Sequence, residues 1–396
     1  MTNALPTPIS FPRWPEFASD ERRAVDSVLA SGKVNYWTGE QGKSLEREYA
    51  AALGLRRAIA LMNGTVALEL PLRIWGVGPG DDVVVTPRSF IASTSCVVLQ
   101  GAKPVFADVD RDSGNITAES IERVLSPRTK AVVLVHLGGW PCEMDSIMAL
   151  ADSRRLKIIE DCAQAPGAEY KGLPVGSIGH AGAFSFCQDK IITTGGEGGL
   201  LATDDEEMWS RAWAFKDHGK SFDTVFGSTH EPGFRWLHES FGTNWRMTEL
   251  QAAIGRVQLG KLSSWSERRR SNAKVLADGL RSVPGLRVPE PPAHIRHAYY
   301  RLYTYLELDR LRSGWSRDRI MSEVANRGVP CFSGSCGEIY REKAFDRTEY
   351  RPVVPLPVAS ELGASSLALL VHPTLSAEHM DYTAAAVRAV LHDAIL

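Results

Sequence analysis

Short apolar runs alternate with amphipathic stretches along the N-terminal half of the chain. Ala58–Leu61, Val83–Val85, Pro104–Asp110, Lys130–Val135, Lys157–Glu160, Ala181–Phe186 and Leu200–Thr203 are apolar runs too short for buried helices, and each reads as a buried strand. Helical spacing separates them. Trp14–Ser31 carries Phe17, Val25, Val28 and Leu29 on one face, with Ser19 and Asp20 as cap candidates. Further helices are predicted from Gly64 through Trp75, over about Thr117–Leu125, over Met144–Arg154 and over Asp204–Phe215. Strands alternating with helices predict an α/β fold whose mostly parallel central sheet is covered on both faces. Beyond it, a charged helix from Gln258 towards Leu280 precedes a strand (Tyr299–Leu308), a helix (Ser316–Arg327), a loop (Val329–Tyr340) and a closing helix (Ala377–His392). There is no internal repeat, low-complexity tract or long linker.

Two of the strands end in complementary chemistry. Lys157–Glu160 runs into Asp161, and Ala181–Phe186 stops just before Lys190. An acid and an amine placed this way converge at the carboxyl edge of a parallel sheet, where ligands of α/β proteins bind. An aldehyde cofactor with a basic ring nitrogen needs that pair. Pyridoxal 5′-phosphate (PLP) takes a lysine as a Schiff base, and a carboxylate keeps its ring nitrogen protonated. The turn Asn63-Gly64-Thr65-Val66 adds free N–H groups and a hydroxyl at a helix start, suited to an anion.

These residues belong to a longer pattern: Glu160-Asp161, Ala163-Gln164, Tyr170-Lys171-Gly172, Val175-Gly176-Ser177, Phe184-Ser185-Phe186, Lys190 and Gly196-Glu197-Gly198-Gly199, followed by Gly242-Thr243-Asn244-Trp245-Arg246-Met247-Thr248-Glu249 and Ala252-Ala253. The pattern resembles the DegT/DnrJ/EryC1/StrS sugar aminotransferases, PLP enzymes of fold type I. The resemblance implies a large PLP-binding domain over residues 1–265 and a smaller C-terminal α+β domain over 266–396. It implies Lys190 as the Schiff-base lysine and Asp161 as the partner of the ring nitrogen. Gln164 is expected beside the cofactor hydroxyl, Phe90 against the ring, and Gly64, Thr65, the Val66 backbone and Ser185 around the phosphate. Asn244 is expected to reach the phosphate held by a second subunit, so the resemblance implies a homodimer with shared active sites. Trp37, Arg246 and Tyr340 are expected near the substrate, and His136 is given a structural role.

The implied reaction moves an amino group from L-glutamate, or L-glutamine, to a keto sugar. A nucleotide-linked keto-deoxysugar for polysaccharide or glycoside synthesis, lipopolysaccharide included, is the first expectation. Several departures keep a free keto sugar, a keto-sugar acid or a cyclitol open: Pro166 where relatives carry His, the additional Gly195, and Cys187-Gln188-Asp189 before the lysine. Leu45 and Val66 also depart from the commoner residues. A dehydratase of this family would carry His in place of Lys190. A silent regulatory protein would have lost Lys190 or Asp161, and an eliminating or aldol-cleaving relative lacks the Asn244–Ala253 motif.

Composition narrows the partners. At 396 residues and 43.4 kDa the chain has room for two domains. A net charge of −2 supplies no general attraction for nucleic acid, and Arg268-Arg269-Arg270 reads as a solvated helix face. The six cysteines lack paired metal spacing and suit a reduced, cytoplasmic protein. The ten histidines form no His-Glu-x-x-His motif, so no metal is expected. Gly76–Asp82 lacks the helix start of a dinucleotide loop, no Gly-x-Ser-x-Gly elbow occurs, and Gly195–Gly199 lacks a following Gly-Lys. Residues 1–11 show no basic-then-apolar leader, and no apolar run is long enough to span a membrane.

Overall fold

The computed structural model describes residues 9–227, 229 and 236–396, so most of the segment behind the leader expectation, residues 1–8, lies outside it. In chain order the first strands are β1 (Arg57–Leu61), β2 (Asp82–Val85), β3 (Lys103–Phe106), β4 (Thr129–Val135), β5 (Lys157–Asp161), β6 (Glu169–Tyr170), β7 (Leu173–Pro174), β8 (Ala181–Ser185) and β9 (Gly199–Thr203). β6 and β7 pair as a small hairpin, and the other seven form one sheet in the order β1-β9-β8-β5-β4-β2-β3. The strands from β8 to β3 run parallel, whereas β9 is antiparallel to both β1 and β8.

Alternating residues of these strands feed two separate cores, which is why the runs read as continuously apolar. Val83, Val85, Val133 and Ile159 pack with Ala67, Leu70 and Leu72 of the helix Gly64–Ile74. Val84, Val132, Leu134 and Ile158 face the other way, onto Ile147 and Ala151 of the helix Met144–Arg154. The C-terminal part is a four-stranded antiparallel sheet ordered Leu286–Arg287, Leu302–Leu306, Ser366–Leu369, Cys331–Phe332. Its own core includes Ile320 and Val324 of one helix with Met380, Val387 and Val390 of the last.

Several expected elements change length: the first helix begins at Ser19 instead of Trp14, and the one expected over Thr117–Leu125 covers Ala118–Glu122. The strand from Pro104 ends at Phe106, because Asp110 folds back to accept N–H groups from Asp112 and Ser113. The strand expected from Tyr299 begins at Leu302, after Tyr299 adopts a left-handed φ of 50°. The helix expected from Gln258 starts instead at Glu249 and runs unbroken to Leu280. Thr248 and Gln251 cap it reciprocally, a Thr-x-x-Gln box. The boundary expected at 265/266 therefore falls inside one 32-residue helix. Its Leu259 and Leu262 pack beside Leu45 and Phe184, whereas Ala273, Leu276 and Leu280 belong to the C-terminal core. Ile9 and Phe11 also pack on that C-terminal core.

Backbone contact sets the spacing beside β8. A Cβ added at Gly182 would lie 2.3 Å from the Gly176 carbonyl oxygen and 2.7 Å from Gly176 Cα. Gly176 is itself tied to β5, its N–H donating to Glu160 Oε2 at 2.8 Å, so it cannot withdraw freely. Gly182→Ala is expected to lower stability by about 1–3 kcal/mol, the usual cost of overpacking, read as a fall in the melting temperature of the cofactor-free protein. An unchanged melting temperature would show that this approach is not tight.

Candidate active site

A cavity of about 750 Å³ opens where β5 and β8 end, with walls from the large sheet and from the C-terminal loop after Cys331–Phe332. Asp161, the last residue of β5, is buried beneath it. Its Oδ2 accepts from Ser93 Oγ at 2.7 Å and its Oδ1 from the Ala163 N–H at 3.0 Å. Ser93 in turn pairs with Ser89 Oγ at 2.9 Å. Burial raises the Asp161 carboxyl above its ordinary range, and the Ser93 and Ala163 bonds and the Lys190 charge only partly counter it. Such a carboxylate is short of a positive partner.

Lys190 lines the same cavity, with Nζ 5.2 Å from the centre of the Tyr300 ring. Its main chain is held from outside the sheet: Trp14 Nε1 donates to the Lys190 carbonyl at 2.9 Å. Asp189, next to it, accepts from the Tyr300 hydroxyl and lies 3.7 Å from Arg301 Nη2.

Another part of the wall is a helix start. β1 leads into Asn63, whose side chain caps the helix Gly64–Ile74 by accepting the Val66 N–H at 3.1 Å. Gly64, Thr65 and Ser185 line the cavity. A Cβ at Gly64 would meet Ser185 Cβ at 2.6 Å, and one at Gly199 would meet the Asn63 carbonyl oxygen at 2.2 Å. Because β9 is antiparallel, Gly199 pairs with both Leu61 and Ser185. The glycine-rich run thus passes directly under the turn.

The other expected site residues divide. Gln164 and Phe90 are on the cavity wall; Gln164 Oε1 accepts the Gly138 N–H at 2.6 Å, its Nε2 donates to Ser335 Oγ at 3.0 Å, and Phe90 is 67% exposed. Val66 is not on the wall: its N–H is committed to Asn63 and its side chain is buried in the core. Tyr340, expected near substrate, is also core. It packs on Phe106, donates to Glu338 and accepts the Leu356 N–H, and burial pushes its phenol up to about 12. Trp37 and Arg246 lie off this wall, both donating to the buried carboxylate of Asp217, at 3.3 and 2.6 Å. Asn244 is exposed and its Oδ1 accepts the Arg246 N–H. Sequence reasoning gave no role to Ser93, in the first turn of the helix Ala92–Leu99, or to Arg301 and Ser335 in loops; a lone serine or arginine carries no spacing signal of its own.

Glu160 faces away from Asp161. Burial alone would raise it, but His136 Nε2 at 2.9 Å and the N–H groups of Gly176 and Gly179 hold it below its ordinary value. His136 Nδ1 accepts the Cys142 N–H, so its proton sits on Nε2 and is given to Glu160. His136, Glu160 and Cys162 come close enough together to hold a metal ion, yet these bonds already occupy the histidine and the carboxylate. They lock the loop after β7 to the sheet, which is the structural role expected of His136.

The match to known proteins is extensive. Residues 15–388 match the model of the DegT/DnrJ/EryC1/StrS aminotransferase family. The chain belongs to that family. An aminotransferase from Psychrobacter cryohalolentis superposes with a TM-score of 0.95 at 53% identity, over 97% of this chain and 99% of that one. A UDP-N-acetyl-3-dehydro-alpha-D-glucosamine 3-aminotransferase from Acidithiobacillus ferrooxidans is 34% identical over 372 residues, 93% of this chain and 94% of its own length. GDP-perosamine synthase from Escherichia coli O157:H7 is 32% identical over 362 residues, 90% and 91%. The fold is that of the fold-type-I aminotransferases, and the family implies PLP. The residues of this aminotransferase fit the group: an amine, a buried carboxylate lacking a cation, and a glycine cradle that a Cβ would fill.

An acid whose folded pKa is raised loses stability as pH rises from its unfolded value through its folded one. Asp161→Asn is therefore expected to raise the melting temperature of the cofactor-free aminotransferase at neutral pH. That advantage should shrink as pH falls through the raised folded value and be gone below the ordinary carboxylate range. A variant less stable at neutral pH would show that the Ser93 and Ala163 bonds outweigh the burial of charge.

Proposed function

We propose that this aminotransferase holds PLP between Lys190 and Asp161 and moves an amino group from L-glutamate, with L-glutamine as the second candidate, to a nucleotide-linked keto sugar. The observation that carries the reading is the placing of Lys190 and the buried Asp161 on one cavity with the Gly64–Thr65 helix start opposite. Relatives named for a UDP-linked and a GDP-linked sugar support the acceptor class.

Bound there, the cofactor supplies an electron sink at the substrate carbon that changes hands with the amino group. Asp161 holds the proton on the ring nitrogen, and the added positive charge relieves its own burial. Lys190 Nζ anchors the cofactor, then, once released, takes the proton from the donor's α-carbon as a general base. Gln164 would hold the cofactor hydroxyl, and Thr65, Ser185 and the Gly64 backbone would hold its phosphate. Phe90 offers its free face to the ring. Asn244 of a second copy completes the phosphate site, with Arg246 and Trp37 beside it, so the working unit is a homodimer. Among the described residues no helix is long and apolar enough to cross a membrane. Six free cysteines fit a reducing compartment, and we assign the enzyme to the cytoplasm and its product to surface-polysaccharide or glycoside synthesis.

Lys190→Ala is expected to lower turnover at least about 10³-fold with an unchanged far-ultraviolet circular dichroism spectrum; retained turnover would remove the mechanism. A half-reaction read by visible absorbance tests the acceptor. After the enzyme is converted to its pyridoxamine form, return of the yellow colour is expected with a nucleotide-linked keto sugar. Return with a free keto sugar or keto-sugar acid alone would transfer the enzyme to that substrate class.

A further inference from the structure

Arg301 immediately precedes the strand Leu302–Leu306 and its guanidinium reaches the cavity wall, with 16% of its side chain exposed. The plane is braced by two aromatic rings, with Cζ 4.7 Å from the centre of Tyr300 and 5.7 Å from that of Phe332. Bracing of this kind fixes the fork and removes most of the entropy cost of binding a planar anion. Yet the fork has little to hold. Among the described residues, the carboxylate within salt-bridge distance is Asp189, whose Oδ2 is 3.7 Å from Nη2, well beyond the 2.7–2.9 Å of a charge-assisted hydrogen bond. That same oxygen already accepts the Tyr300 hydroxyl.

The surroundings add positive charge. Arg269 is buried behind Tyr300 with long bonds of 3.4 and 3.5 Å to the carbonyls of Tyr299 and Tyr300; it lies over the Trp14 ring, and its Nε and Nη2 find no hydrogen-bond partner among the described residues. Burial, and next the charge of Arg301, push its guanidinium down to about 9. Lys190 Nζ shares the Tyr300 ring with Arg301. A guanidinium fork, a second arginine and the lysine thus crowd one end of the cavity against Asp189.

Resting on the aminotransferase reading above, we propose that Arg301 binds a carboxylate of the substrate, carried within a few bonds of the reacting carbon. The shared Tyr300 ring sets the reach: Lys190 Nζ and Arg301 Cζ stand 5.2 and 4.7 Å from its centre, so an anion on Arg301 belongs to the part of the substrate around the reacting carbon. The planar fork matches a carboxylate through two parallel N–H bonds. Two substrates carry one suitably placed, the amino donor through its α-carboxylate and an acceptor whose sugar ring bears an acid group.

The test compares the wild-type enzyme with Arg301→Gln and Arg301→Lys in separate half-reactions, followed by cofactor absorbance. One arm titrates L-glutamate against the PLP form. The other titrates two nucleotide-linked keto sugars, differing only in a hydroxymethyl or a carboxylate at C5, against the pyridoxamine form. Calorimetry of the C5-carboxylate sugar on cofactor-free protein gives an affinity independent of turnover. Arg301→Gln is expected to weaken the carboxylate ligand about 10- to 100-fold, with the limiting rate changed less. Arg301→Lys should recover part of the loss, since it keeps the charge without the fork. Loss confined to L-glutamate assigns Arg301 to the donor. Loss confined to the acidic sugar, in absorbance and calorimetry alike, assigns it to the acceptor. Equal loss for the neutral sugar, no loss with any ligand, or a matching loss for the nucleoside diphosphate alone overturns the proposal. If wild-type enzyme is converted by neither L-glutamate nor L-glutamine, the parent reading falls first, and the two failures are told apart.

Discussion

A carboxylate kept out of water at the end of a central strand is the constraint around which this protein is arranged. Asp161 is fully enclosed, yet two hydrogen bonds, from Ser93 and from the Ala163 N–H, do not restore what hydration would give it. The deficit can be made good by a cation entering the cavity from the open side. Under the proposed function, the burial that makes the aspartate costly on its own is what would favour a protonated ring nitrogen beside it. Its neighbour Glu160, equally buried, shows the contrast. It is satisfied within the chain by His136 and backbone N–H groups, and so serves as a fixed internal strut.

Side-chain-free contacts let the two walls of the cavity come together. At Gly64 and Gly199 any Cβ would intrude on Ser185 or on the Asn63 carbonyl. The antiparallel β9 brings its amino-terminal glycine to the edge where the neighbouring strands have their carboxyl ends. A purely parallel sheet would have put a strand's other end there. The reversal places a third main chain beneath the turn that starts the Gly64–Ile74 helix.

Much of this was legible in the residues. Continuous apolar runs betray strands buried on both faces, and all seven strands of the large sheet occur where such runs stand. Asp161 and Lys190 were readable because strand ends converge on one edge of a parallel sheet. What was hidden depends on contacts between distant segments. Tyr340 sits in a loop that looks exposed but is folded onto Phe106, so an aromatic expected at the ligand became part of the core. Val66 lost its expected backbone role to the cap supplied by Asn63, three residues away. Arg301 had no local signature, since its meaning comes from Tyr300, Phe332 and Asp189 meeting around it. The start of the long helix at Glu249 was present as a Thr-x-x-Gln cap but was masked by the surrounding motif.

That helix has a mechanical consequence. Thirty-two residues at about 1.5 Å each make a rod of roughly 48 Å, with its first half embedded in the large domain's packing and its second half in the C-terminal core. The two walls of the cavity are therefore mounted on one beam instead of being joined by a tether. Lys190, held beside the large sheet, and Arg301, just before a C-terminal strand, keep their places around Tyr300 through a helix that packs with both parts. Bending at its midpoint, near Ser264 or Ser266, would misalign the two walls as surely as a change in the cavity itself.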